Sequence, residues 1–191
     1  MADPILVTGP AHLPVTLQDA KQHLRIEHDD DDDYISFLIG AATDHLDGYT
    51  GLLGRCVVDQ VWKQSFPSFG QVFCLRLGDV RQVEEISYFD ADNDLQSLSI
   101  ADVTLLRQAG RDYVRLAGSL PSAYQRPDAV SIRYRAGWAV SDVPAALQHA
   151  ILLLVGHFYE NREAVSMAMN VTTLPLGVDR LIAPYRYVRI G

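Results

Sequence analysis

The run Asp29-Asp30-Asp31-Asp32-Asp33 is the densest group of metal-ligand-type side chains in the sequence. Hard cations such as Ca²⁺ and Mg²⁺ bind carboxylate oxygens, so the run is a candidate site for a metal-dependent enzyme. An EF-hand loop, however, needs a glycine at its sixth position and a glutamate at its twelfth, and neither fits here. The alternative is a solvated acidic cap, because carboxylates stabilise a helix start and an apolar helix pattern follows at once. We predict the cap and no metal site.

Other residues of catalytic type lack the spacing that chemistry requires. His149 and His157 are eight residues apart and share one predicted helix face, but no pair of histidines has the H-E-x-x-H arrangement of a metalloprotease. G-x-S-x-G and glycine-rich phosphate loops are absent. Cys56 and Cys74 are predicted to be reduced thiols, since disulfides are rare in the cytosol. The sequence therefore predicts neither an enzyme nor a cofactor.

Charge and composition exclude further classes of protein. The chain has 191 residues, 48% of them hydrophobic, which excludes an intrinsically disordered chain. The net charge is −8, and a protein that grips DNA by its phosphates carries the opposite sign. The longest apolar run, 150–155, is too short to span a bilayer. The first residues lack the pattern of a secretory signal, so we expect folding in the cytoplasm.

Two helices are predicted near the N-terminus, after an extended arm over residues 1–15. Thr16 and Asp19 have the form of a capping box, which predicts a short helix over 17–26. A second helix is predicted over 34–49, because apolar residues recur there at three- and four-residue spacing. Gly51 is predicted to end it in the left-handed conformation.

The middle of the chain is predicted to be β-rich. Strand patterns separated by turn residues extend from 57 to 136, and Val130, Ile132, Tyr134 and Ala136 alternate strictly. Asp142 is predicted to cap a helix over 145–162, with Pro144 in its first turn. This helix is apolar nearly all round, so it is either central or also covered by a neighbouring subunit. A short helix over 177–183 is predicted to stop at Pro184.

The predicted fold class is α+β, a small helical bundle with an inserted β-rich lobe. The expected divisions are an arm and two helices over 1–56, the lobe over 57–137, and C-terminal helices with a tail over 138–191. We expect the last part to pack with residues 16–50 as one domain.

The C-terminal segment is a candidate docking site for a partner. It contains residue types that are frequent in interface hot spots, namely Pro184, Tyr185, Arg186, Tyr187 and Arg189. The alternative is a segment folded back on its own domain.

The order of these motifs resembles the head–tail connector (adaptor) family of long-tailed bacteriophages and gene transfer agents. The resemblance lies first in L-Q-D-A-K-Q-H-L-R-I over 17–26, the acidic spacer, and the A-A…Y-T-G helix that ends at Gly51. It continues in Y-R-A-G-W over 134–138 and V-P-A-A-L-Q-H-A-I over 143–151. H-F-Y-E-N-R-E over 157–163 and L-G-V-D over 176–179 complete it.

The resemblance implies a structural subunit of a virion neck, assembled in the bacterial cytoplasm. Its partners would be the portal protein, the next neck (stopper) protein, and copies of itself in a ring that matches the portal's twelve-fold symmetry. DNA would pass through the ring without specific binding, and no membrane is implied. The alternatives are another neck or tail-completion protein, or a metal-binding enzyme that uses Asp29–Asp33.

Overall fold

The computed structural model describes residues 2–101, 103–108, 110–161 and 176–187. The strands are β1 Ile5–Thr8, β2 Gln60–Phe66, β3 Val72–Cys74, β4 Val80–Phe89, β5 Leu95–Leu98, β6 Val103–Gln108, β7 Arg111–Leu116 and β8 Val130–Ala136. The α-helices are α1 Leu17–Leu24, α2 Asp32–Leu46, α3 Ala145–Glu160 and α4 Leu176–Ile182, and 3-10 turns span Val140–Asp142 and Ala183–Tyr185. These helices and strands confirm the predicted α+β class.

The chain divides into two compact units. The helical unit takes residues 12–58 and the described residues from 139 onward, and the β unit takes residues up to 11 together with 59–138. The arm is therefore only partly irregular, since its strand β1 pairs antiparallel with β2 at the edge of a sheet. No helix in the described parts of the chain is long and apolar enough to cross a membrane.

The helical unit is built around α3. The α1, α2 and α4 helices all contact it, and its buried positions are Leu147, Ala150, Ile151, Leu154 and Val155. The chain itself therefore covers α3, which makes it a central helix as one of the two predictions had it. The predicted apolar face of α2 is also buried, through Ile35, Leu38, Ile39, Ala42 and Leu46.

Helix α1 begins as predicted. The Thr16 side chain accepts a hydrogen bond from the Asp19 N–H, and the Asp19 carboxylate accepts one from the Thr16 N–H, so the capping box is present. The helix ends earlier than predicted, because Arg25 adopts the left-handed conformation with φ 59°. Its backbone N–H donates to carbonyls of the last turn, which satisfies the helix end.

The predicted C-terminal end of α2 is wrong. The helix stops at Leu46, and Asp47 is extended with its carboxylate accepting a hydrogen bond from the Val57 N–H. Gly51 is required for a different reason than a left-handed cap. A Cβ atom there would lie 2.1 Å from the Asp47 carbonyl oxygen and 2.5 Å from that of Leu46. The tight turn after α2 thus demands a residue without a side chain.

The predicted start of α3 also needs correction. Asp142 ends a 3-10 turn, and Pro144 occupies the N-cap position without a side-chain cap hydrogen bond. A proline N-cap cannot satisfy the free N–H groups of the first turn through its side chain. Packing of the apolar helix against its three neighbours therefore stabilises α3 more than its cap does.

The β unit contains two antiparallel sheets. One has the strand order β1-β2-β8-β4-β5 and the other β3-β7-β6. Strand β8 pairs with β2 on one side and β4 on the other, and its alternating residues Val130, Ile132, Tyr134 and Ala136 are fully buried. The sheets face each other, since the Phe66 and Phe73 rings lie 4.6 Å apart between centroids. The alternation predicted for β8 is therefore confirmed.

Candidate functional site

The acidic run spans the end of the connection between α1 and α2 and the first two residues of α2, and one lysine organises it. We call residues 27–33 the acidic loop. The Lys21 ammonium of α1 lies 2.6 Å from a carboxylate oxygen of Asp29 and 2.6 Å from one of Asp32. The Lys21 side chain is only 10% exposed, whereas that of Asp29 is 86% exposed. The run is thus not purely solvated, because a buried cation holds two of its members.

These contacts keep both partners charged. The hydrogen bond to Asp29, followed by that to Asp32, raises the pKa of Lys21. The hydrogen bond from Lys21 lowers the pKa of Asp29. In the described ranges of the chain, no group of three or more His, Cys, Asp and Glu side chains is arranged to hold a metal ion. What the geometry gives these carboxylates is a structural ion pair that fixes the loop.

Helix α3 also contacts the acidic loop. The Tyr159 hydroxyl donates a hydrogen bond to the Asp31 carboxylate, and the Tyr159 ring lies 6.1 Å from that of Tyr34. Asp31 is the N-cap residue of α2 but makes no side-chain cap hydrogen bond. Its carboxylate thus joins α2 to α3. Sequence reasoning missed this contact, because 128 residues separate the partners.

The structure pairs His149 with His23 and not with His157. The His23 and His149 rings meet edge to face at 6.1 Å between α1 and α3. Burial, and after it the proximity of His149, lowers the pKa of His23. His157 instead contacts Asn161 at the end of α3. The histidine pair is a contact between helices.

The C-terminal docking residues begin directly after α4. Pro184 and Tyr185 lie in the 3-10 turn, with Pro184 exposed and Tyr185 half-buried. The Arg186 guanidinium is exposed and lies 2.7 Å from the carboxylate of Asp179. The two charged groups are both near the surface, so the pair contributes little to stability.

The backbone of Tyr187 ties this segment to the helical unit. Its N–H donates a hydrogen bond to the Leu53 carbonyl oxygen at 2.7 Å. The fifth predicted docking residue, Arg189, lies outside the described residues. As far as Tyr187, the segment is therefore held against its own unit.

The β unit contains a buried carboxylate that sequence reasoning missed. Asp112 accepts hydrogen bonds from the Val80 N–H at 2.8 Å and from the Arg107 guanidinium at 2.7 and 3.2 Å. The same guanidinium lies 3.2 Å from Asp79, beside an open pocket of about 490 Å³. Because one cation holds both carboxylates, the cluster is suited to joining strands rather than to proton transfer. The sequence gives little indication that Asp112 is buried, since an aspartate close to the Gly110 turn is usually part of the turn.

Comparison with known proteins gives one family and a set of solved structures. Residues 14–68 match the model of the Phage gp6-like head-tail connector protein family. This segment contains α1, the acidic loop, α2 and β2, so the resemblance seen in the sequence is confirmed there. No curated protein sequence matches the chain.

The solved structures match over nearly the whole chain. A chain in the neck of an empty gene transfer agent (GTA) particle computed with C6 symmetry has a TM-score of 0.77 at 20% identity, covering 99% of this chain and 97% of that one. A chain in the virion of a native GTA particle has a TM-score of 0.76 at 22% identity, and the match covers 98% of this chain and 96% of that one. A chain in the neck of a native GTA particle computed with C12 symmetry has a TM-score of 0.70 at 21% identity. That match covers 99% of this chain and 97% of the other. At these identities the likeness establishes a shared fold.

Proposed function

We propose that this protein is a head–tail connector subunit, a structural part of the neck of a tailed phage or a GTA-like particle. One coincidence carries the proposal. The segment that matches the connector family model, residues 14–68, lies within a chain whose complete fold is that of proteins in GTA necks. A family match and a fold match therefore support the same role independently.

The proposed role is to join capsid and tail, not to catalyse a reaction. Among the described residues, carboxylates converge at Lys21, at Arg107 and at Arg135, and in each place a cation lies within 3.2 Å of their oxygens. A general acid or base must exchange its proton near neutral pH, and an ion-paired carboxylate resists protonation. The clusters support a structural role, since each joins side chains from different helices, strands or loops.

In the proposed assembly, copies of the chain form a ring beneath the portal through which DNA passes. The number of copies would be twelve, to match the portal, and one neck structure with this fold was computed with C12 symmetry. Each copy has a net charge of −8. A negative surface repels phosphates, so DNA would slide past without being held. The subunit would assemble in the bacterial cytoplasm and remain in the neck of the particle.

The partners would be the portal protein on one side and the stopper protein on the other. The segment from Pro184 is the proposed portal contact. The hydrogen bond from Tyr187 to Leu53 ties the described part of the segment to the helical unit, while Pro184 and Arg186 remain exposed.

The test is the mass of the purified protein, alone and mixed with its cognate portal, by light scattering. A ring, or a monomer that becomes a ring on the portal, is the expected result. A protein that never associates with the portal contradicts the connector assignment and favours another level of the neck. A variant without residues 184–191 should keep the fold but fail to bind the portal, and normal binding by that variant would contradict docking through this segment.

A further inference from the structure

The β3-β7-β6 sheet exposes a face with positive charge and an apolar centre. Its inward residues, such as Phe73 and Val114, are buried, so the alternate residues point away from the core. Arg115 lies opposite Val72 and Thr104, Tyr113 opposite Cys74 and Leu106, and Arg111 opposite Gln108. We call these eight outward residues the basic face. No carboxylate is among them.

The arginines of the basic face differ from others in the protein. Arg107, Arg126, Arg133, Arg135 and Arg186 each lie within 3.2 Å of a carboxylate oxygen. Across the described residues, Arg111 and Arg115 make no such pair. Arg25 and Arg180 of the helical unit also have no carboxylate this close among the described residues, so what sets Arg111 and Arg115 apart is that both lie on one side of one sheet.

The apolar part of the basic face is also exposed. Val72 is 51% exposed and Leu106 is exposed, with the half-buried Tyr113 between them. Arginine and tyrosine around an apolar centre are the residue types that dominate binding energy at protein interfaces. The basic face therefore has the composition of an interface that takes a negatively charged protein partner.

The chain itself supplies a surface with the complementary charge. In the acidic loop, Glu27, Asp30 and Asp33 are exposed, and the Asp30 side chain is 94% exposed. Lys21 and Tyr159 hold the neighbouring carboxylates in place. The loop is therefore preorganised, which lowers the entropy cost of binding.

We propose that the basic face of one copy binds the acidic loop of the next copy in the ring. The inference rests on the proposed ring. A ring requires a heterologous contact, in which one surface of the chain meets a different surface of its neighbour. The basic face and the acidic loop meet that condition, since both belong to one chain and have opposite charge. Two arginines neutralise too few phosphates to favour DNA as the occupant.

The test is a charge exchange in the full-length protein assembled on its cognate portal, measured by native mass spectrometry at about 0.1 M salt. The first variant combines Arg111→Glu with Arg115→Glu, and the second combines Asp30→Lys with Asp33→Lys. We expect each to lower the yield of rings about tenfold, because like charges then face each other. The third variant carries all four changes, and we expect it to restore the rings.

A control matched to the arginine variant carries Lys63→Glu and Arg180→Glu, which make the net charge more negative by the same amount at exposed positions outside the basic face. The control should form rings normally. Unfolding of each variant, followed by tryptophan fluorescence and circular dichroism, separates loss of folding from loss of the contact.

The other outcomes overturn the inference in distinguishable ways. If the wild type forms no ring on the portal, the proposed function fails and the inference with it. If rings persist in both double variants, the function stands and this contact is wrong. If the double variants fail and the fourfold variant fails too, the basic face contacts another partner. Loss of DNA retention on filters by the arginine variant, with rings intact, would assign the face to DNA.

Discussion

Replacing Asp112 by alanine tests whether a buried carboxylate holds the β unit together. The Asp112 side chain is 6% exposed and accepts three hydrogen bonds, one from the Val80 N–H and two from Arg107. Alanine removes every acceptor and leaves the Val80 N–H of β4 without its partner. A lost hydrogen bond to a charged group costs about 1.5–3 kcal/mol, and an unsatisfied buried donor costs about 1–3 kcal/mol. The two overlap, so we expect about 3 kcal/mol in total.

The assay follows from the position of the tryptophans. The chain has two, Trp62 and Trp138, and both lie in the β unit, so their fluorescence follows the unfolding of that unit. With a urea dependence of about 1.5 kcal/mol per molar, a loss of 3 kcal/mol lowers the unfolding midpoint by about 2 M. Circular dichroism at 222 nm follows the helical unit in the same samples.

Asp112→Asn serves as the matched variant. Its amide oxygen can still accept from the Val80 N–H, while the charge that faces Arg107 is lost. We expect about half the destabilisation of Asp112→Ala, since the hydrogen bond to the buried backbone is kept. An alanine variant within about 1 kcal/mol of the wild type would refute the reasoning. Equal losses for both variants would show that the charge, and not the bond to Val80, matters.

The remaining predictions concern the helical unit. Gly51→Ala should destabilise it by about 3 kcal/mol or more, because the new Cβ overlaps two backbone carbonyls. Gly40→Ala has open space around the new Cβ and should stabilise α2 by up to about 1 kcal/mol. Thermal melts at 222 nm measure both. The wild type should lose stability as the pH falls from about 4 through the lowered pKa of Asp29, and Lys21→Met should lose less over that range. The pKa of His23 is lowered in the folded protein, so the unfolded chain takes up the proton first as the pH falls. Stability should therefore fall as the pH drops below about 6.5. In thermal melts between pH 7 and 5, His23→Gln should show a smaller fall.

Local patterns in the sequence predicted local structure well. The capping box of Thr16 and Asp19 and the alternation of β8 were both confirmed, because each depends on residues a few positions apart. The resemblance to head–tail connectors, taken from the order of short motifs, was confirmed for residues 14–68. Helix ends were less predictable. Asp47 ends α2 because its carboxylate binds the N–H of Val57, and that contact depends on how the following turn folds back.

Buried polar contacts in the β unit were beyond the reach of sequence patterns. Gln64 is fully buried in β2, where its amide donates to the Cys74 carbonyl and accepts from the Arg76 N–H. Alternation with Trp62 and Phe66 places Gln64 on the inward side of β2, but a polar amide is not a side chain that a sequence pattern assigns to a core. Burial of the amide is compensated because the path of the chain brings two backbone groups to it. They are the Cys74 carbonyl at the end of β3 and the Arg76 N–H.

The acidic run separates what the sequence determines from what only the tertiary structure decides. Five consecutive aspartates before an apolar helix determine, from sequence alone, that this end of the chain is strongly negative and that α2 begins there. Only the tertiary structure decided which of them are held by Lys21 or Tyr159 and which are exposed to solvent. Lys21 contacts Asp29 and Asp32, eight and eleven residues away, and Tyr159 contacts Asp31 from α3. Charge and helix propensity are properties of neighbouring residues, whereas a salt bridge depends on distance in space, which the packing of α1 and α3 against α2 sets.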